Sequence, residues 1–170
     1  MTVPTTAADL LGTWQLVAWE LEVGGRVEQP FGDRPTGLLS YTPDGWMQAT
    51  IAAAGRPGLS GPSARSSPDV EVAATARTYF SYAGRWWLQT ATDPQTHDDL
   101  EVVCHEVVLA LDPAMVGTIQ RRRVHLADDR LTLSATESLG AATRHHRLVW
   151  QPAPTTPTDP TTPTTPTGTT

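Results

Sequence analysis

The chain has 170 residues, one cysteine and a formal charge of −6 at pH 7. This is room for a single domain with a sizeable core, it excludes an internal disulfide, and its negative balance argues against a nucleic-acid or anionic-membrane partner. No stretch approaches the roughly 18 consecutive apolar residues of a spanning helix. Residues 1–9 also lack the basic start and apolar centre of a secretion signal, so a cytoplasmic setting is expected.

Alternating apolar and polar side chains predict strands over 13–23, 36–42, 45–52, 81–90, 100–111, 118–127, 130–136 and 142–151. Gly24-Gly25, Pro43-Asp44-Gly45, Asp93-Pro94, Asp112-Pro113 and Asp128-Asp129 supply the turn chemistry between them. Segment 55–68 is rich in Gly and Pro, too long for a tight turn, and is expected near the mouth of any cavity as a lid. Segment 69–80 lacks alternation, contains Ala73, Ala74 and Ala76, and follows Ser66-Ser67-Pro68. It therefore predicts a short helix with a Ser cap and a Pro near its first turn. Residues 152–170 are almost entirely Pro and Thr, without an apolar payload to offset ordering entropy, so a disordered tail is expected after a domain at 1–151. Short connections favour an up-and-down antiparallel order. Eight such strands can close into an all-β barrel with one short helix, an open two-sheet sandwich being the alternative.

The chemistry-bearing residues follow from the strand faces. In 118–127 one face carries Gln120, Arg122, Val124 and Leu126, which takes Gln120 and Arg122 inward. A buried guanidinium needs a partner or a ligand, and Glu20, on the face of Trp14, Leu16 and Ala18, is the expected partner. His105 alternates with Val103, Val107 and Leu109, so it too points inward, where it could donate a hydrogen bond or move a proton. Tyr41 and Tyr82 offer hydroxyls on aromatic bodies, suited either to packing or to a ligand. Cys104 lies on the opposite face without a basic partner, so a nucleophilic role is not expected. His145-His146 face opposite ways along a strand, and His97-Asp98-Asp99 has no second cluster, so no metal is expected.

Several motifs agree in order: Gly12-x-Trp14, the Pro43-Asp44-Gly45 hairpin, Tyr79-Phe80-Ser81-Tyr82-Ala83-Gly84-Arg85-Trp86 and Val116-Gly117-Thr118-x-Gln120-x-Arg122. With Arg130-Leu131-Thr132-Leu133 and Arg147-Leu148-Val149-Trp150, they resemble the bacterial lipocalin-like domain family from about Leu10 to Trp150. The resemblance implies an eight-stranded barrel enclosing a ligand cavity. It places Trp14 at the closed end under a late-strand arginine such as Arg144 or Arg147. Members often show a His-His pair in the fifth strand, where this chain reads His105-Glu106. Some similar barrels in bacterial polyketide pathways are cyclases, including cofactor-free [4+2] cyclases. On that likeness the expected function is a cofactor-free cyclase folding a hydrophobic polyketide-like substrate. Tyr41, His105 and Arg122 would be catalytic, with Glu20, Met47, Tyr82, Trp86 and Gln120 binding the substrate. The alternative is a non-catalytic binding protein for a small lipophilic metabolite. The partner in either case is a hydrophobic small molecule, with neither nucleic acid nor membrane, and a homodimer is compatible with both.

Overall fold

A computed structural model describes residues 4–93, 96–140 and 142–154. Helix α1 (Ala7–Leu10) leads into β1 (Gly12–Val23), followed by β2 (Arg26–Glu28), β3 (Thr36–Tyr41) and β4 (Trp46–Ala52). Helix α2 (Asp69–Arg77) precedes β5 (Tyr79–Thr92), β6 (Asp99–Ala110), β7 (Ile119–Ala127), β8 (Arg130–Leu139) and β9 (Ala142–Pro152). From β3 to β9 each strand pairs antiparallel with the next, and β1 pairs with both β3 and β9. The result is a closed eight-stranded barrel, and closure rules out the open sandwich.

The short β2 is additional to the eight expected strands. It forms a hairpin with the far end of β1, turning at Gly24-Gly25, where both glycines take positive φ (56° and 76°), as a two-residue turn between twisted strands requires. Because β3 pairs only with Gly12–Gln15 of β1, β2 covers the edge that β3 leaves free at Leu21–Val23. The helix expected over 69–80 stops at Arg77, since Tyr79–Ser81 already pair with Thr50–Ala52 of β4. Pro68 holds its cap position, and the Ser67 hydroxyl donates to the Ser63 carbonyl instead.

Two bulges decide which side chains enter the barrel. On β1, Leu16 lies opposite Trp150 and Ala18 opposite Val149, so Val17 has no partner and the alternation resets. Trp14 and Leu16 are buried, but beyond the bulge Trp19 takes the inward side and Glu20 the outer one. The shared face read for Glu20, Trp14 and Leu16 is thus corrected. The Glu20 carboxylate accepts from Arg147 at 3.0 Å on the outside of the barrel and does not reach Arg122. The second bulge is at Val108 of β6, between the pairs Ala83–Leu109 and Gly84–Val107. Val103, His105 and Val107 point inward as expected, whereas Leu109 is turned out to solvent.

The barrel is plugged at one end by α1. Leu10 is fully buried and its carbonyl accepts from the Trp14 indole N–H at 2.9 Å. Neither Arg144 nor Arg147 covers Trp14: Arg147 is opposite Glu20 and Arg144 opposite Val23, far along β9 from the Trp14–Pro152 pair. The Ala153 N–H donates to the Thr13 carbonyl at 2.8 Å; the tail from 155 on lies outside the described residues. Since the Glu20–Arg147 pair is half-exposed, Glu20→Gln is expected to change urea-unfolding stability by no more than about 0.5 kcal/mol. A loss of several times that would show that Glu20 braces the barrel.

Candidate functional site

The upper half of the barrel, away from α1, encloses a cavity of about 330 Å³. Trp19, Phe80, Tyr82 and Trp150 supply aromatic walls, and Leu39, Ala49, Ile51, Leu133 and Leu148 supply aliphatic ones. Met115 reaches in from the single helical turn Pro113–Met115 between β6 and β7. The polar lining is sparse: His105, Gln120, Arg122, Glu137 and His146.

His105 is buried on the inner wall, and it sits between two phenols. Its Nε2 is 2.8 Å from the Tyr41 hydroxyl and its Nδ1 is 2.7 Å from the Tyr82 hydroxyl. Burial, and secondarily the Arg122 charge, push its pKa down to about 3, so the imidazole is neutral. Burial raises the pKa of both phenols; for Tyr41 the neighbouring Tyr82 adds to the effect. All three groups are therefore neutral at physiological pH. Each ring nitrogen is already engaged, and an imidazole so weakly basic is a poor general base.

The residues expected to form the site divide into two layers. Tyr82, His105, Gln120 and Arg122 line the cavity, while Tyr41, Met47 and Trp86 are buried behind it. The Trp86 ring packs against Tyr41 at 4.6 Å, and its N–H donates to the Thr42 carbonyl. Glu20 is outside altogether. The Arg122 guanidinium donates to Gln120 Oε1 at 3.2 Å and to the Arg121 carbonyl at 3.0 Å, and no carboxylate among the described residues pairs with it. Cys104 is buried on the outer side of β6 with its pKa raised by burial, which keeps it a thiol.

Sequence reasoning missed the aromatic and upper polar lining. Trp19 was hidden by the bulge at Val17. His146 was within reach of the observation that the two adjacent histidines face opposite ways: its Nδ1 accepts from the Trp19 indole at 3.3 Å and its Nε2 stands 3.5 Å from Glu137, while His145 bonds Thr136 outside. Trp150 carries a further signal. Its ring is 1% exposed, it lines the cavity, and its indole N–H has no hydrogen-bond partner. A buried donor left unpaired costs about 1–3 kcal/mol, which a ligand acceptor would recover. Segment 55–68 joins β4 to α2 at the end where Met115 lies. It is tied to α2 through Ser60–Glu71 and Arg56–Thr75, and none of its residues lines the cavity. No group of three potential metal ligands is assembled among the described residues.

A closed antiparallel barrel with an inner cavity and a helical plug at one end is the lipocalin-like architecture. The sequence profile of the lipocalin-like domain matches residues 11–153, and the chain belongs to that family. It is 32% identical over 110 residues to a protein of Aspergillus oryzae named 4'-hydroxy-3'-methoxypropiophenone carrier protein ppsC, a match covering 64% of this chain and 97% of the relative.

Proposed function

We propose that the protein is a non-catalytic carrier that encloses one small aromatic metabolite in the barrel and releases it unchanged. The observation that carries this reading is the aromatic-walled cavity into which Trp150 presents an unpartnered N–H. About 330 Å³ is at the small end of ligand pockets, which suits a molecule of one or two rings. The name of the Aspergillus relative describes a single ring bearing hydroxyl, methoxy and propionyl groups, of that size class. The cyclase reading has less support: folding a long polyketide chain asks for more room, and His105 offers neither a free lone pair nor a useful pKa. Incubation with 4'-hydroxy-3'-methoxypropiophenone, followed by mass spectrometry of the extracted ligand, tests the reading. Retention on the protein with unchanged mass and chromatographic behaviour is expected. Time-dependent conversion to a product would replace the carrier by an enzyme. Retention is also expected to survive prolonged treatment with chelator, since neutral aromatic contacts and donors do the holding; loss restored by zinc would contradict this.

A further inference from the structure

Resting on the carrier reading, we propose that Tyr41 and His105, sealed behind the cavity wall, fix the direction of the Tyr82 hydroxyl, so that the cavity selects aromatic ligands bearing a carbonyl oxygen. A neutral imidazole has one N–H and one lone pair, so of its two phenol neighbours one must donate and the other must accept. Whichever phenol accepts has a proton left to place.

Tyr41 is 2% exposed, lines no part of the cavity, and its hydroxyl has no partner but His105 among the described residues. If it accepted, its proton would be stranded in the core, which disfavours that arrangement by about tenfold to a hundredfold. Tyr82 lines the cavity, so its proton has somewhere to go. The favoured chain therefore runs in one direction. Tyr41 donates to His105 Nε2, His105 Nδ1–H donates to the Tyr82 oxygen, and the Tyr82 O–H points into the cavity. Two further sealed polar atoms on the wall have no hydrogen-bond partner: Trp150 Nε1, a donor, and His146 Nε2, which carries the proton of the neutral ring because Nδ1 accepts from Trp19. Gln120 is held away from this role by its own bonds: its oxygen accepts from Arg122 and its amide nitrogen donates to Thr118. The sealed polar atoms of the cavity thus present hydrogens, the carboxylate of Glu137 being at its exposed margin, and what they match is an oxygen with free lone pairs. Tyr41 acts as a positioning residue: it touches no ligand and sets what Tyr82 can recognise.

The test compares propiophenone with propylbenzene, which keeps the ring and chain but lacks the oxygen, on the wild type, Tyr41→Phe and Tyr82→Phe. The wild type is expected to prefer the ketone by about tenfold or more, because the analogue leaves buried donors unpaired. Tyr82→Phe should remove much of that preference. Tyr41→Phe should reduce it as well, since His105 is then free to take its proton on Nε2 and accept from Tyr82; propylbenzene affinity should be unchanged. Nitrogen-15 NMR of His105 in the ligand-free wild type should show the proton on Nδ1, and the infrared carbonyl stretch of bound propiophenone should move back toward its unbonded value in Tyr41→Phe. A proton on Nε2 in the wild type, equal binding of both ligands, or an undiminished ketone preference in folded Tyr41→Phe would each overturn the proposal. Failure of both ligands to bind would remove the carrier reading and the selectivity with it. A Tyr41→Phe protein that does not fold leaves the NMR tautomer and Tyr82→Phe to decide.

Discussion

Gly84→Ala is expected to destabilise the barrel by about 3 kcal/mol or more, the upper range for overpacking, and to lower soluble yield. Gly84 faces inward on β5 where the β6 bulge brings backbone unusually close. A Cβ there would lie 1.8 Å from the Glu106 carbonyl oxygen and 3.0 Å from the Val108 nitrogen. A Cβ is fixed by the backbone and the atoms it would meet are backbone, so no side-chain rotation relieves the clash and β5 and β6 would have to separate. The same two strands carry Tyr82 and His105, and their 2.7 Å bond would be lost with the register. Urea unfolding of the variant checks the stability, and the His105 imidazole NMR signals check the bond. Stability within about 1 kcal/mol of wild type, with those signals unmoved, would mean that the bulge does not hold the strands together as tightly as described.

The second large effect is on acid stability. The folded pKa of His105, about 3, is below its ordinary value of 6.5, so on acidification the unfolded chain takes up this proton first. The stability contributed by keeping the ring neutral is fully present above about pH 6.5. It is lost as pH falls toward 3, by about a factor of ten in the folding equilibrium per pH unit and on the order of 5 kcal/mol in all. His105→Gln isolates this contribution, because an amide can accept from one tyrosine and donate to the other without titrating. His146, also held below its usual pKa by burial, titrates in both proteins and cancels in the difference. The stability difference between wild type and variant should be constant above pH 6.5 and shift steadily against the wild type below it. A difference that stays level to pH 4 would mean that His105 is not kept neutral by its site.

Much of the barrel was legible because alternation and turn chemistry are local. The eight strand segments, the Asp-Gly hairpin after Tyr41 and the inward face of Val103, His105 and Val107 all follow from neighbours within a few residues. What was illegible depends on one residue too many. Val17 and Val108 look like ordinary strand positions, yet each resets the alternation, taking Glu20 and Leu109 outward and Trp19 inward. Nor can alternation show that Tyr41 and Tyr82, 64 and 23 residues from His105, meet on its two nitrogens. That meeting is a property of barrel closure and register across three strands. The same closure brings Trp150, on the last strand, to the wall that Tyr82 lines from the middle of the chain.

The claim that the barrel carries one small aromatic molecule in its inner cavity is tested most directly by titration calorimetry of 4'-hydroxy-3'-methoxypropiophenone onto the wild type and Ala49→Phe. Ala49 is buried on the cavity wall, so a phenyl ring at that position has the void itself to grow into. Saturable one-to-one binding to the wild type is predicted, lost in Ala49→Phe, with the Tm of the variant not lowered. Absence of saturable binding to the wild type, or equal affinity in a folded Ala49→Phe, would contradict the account.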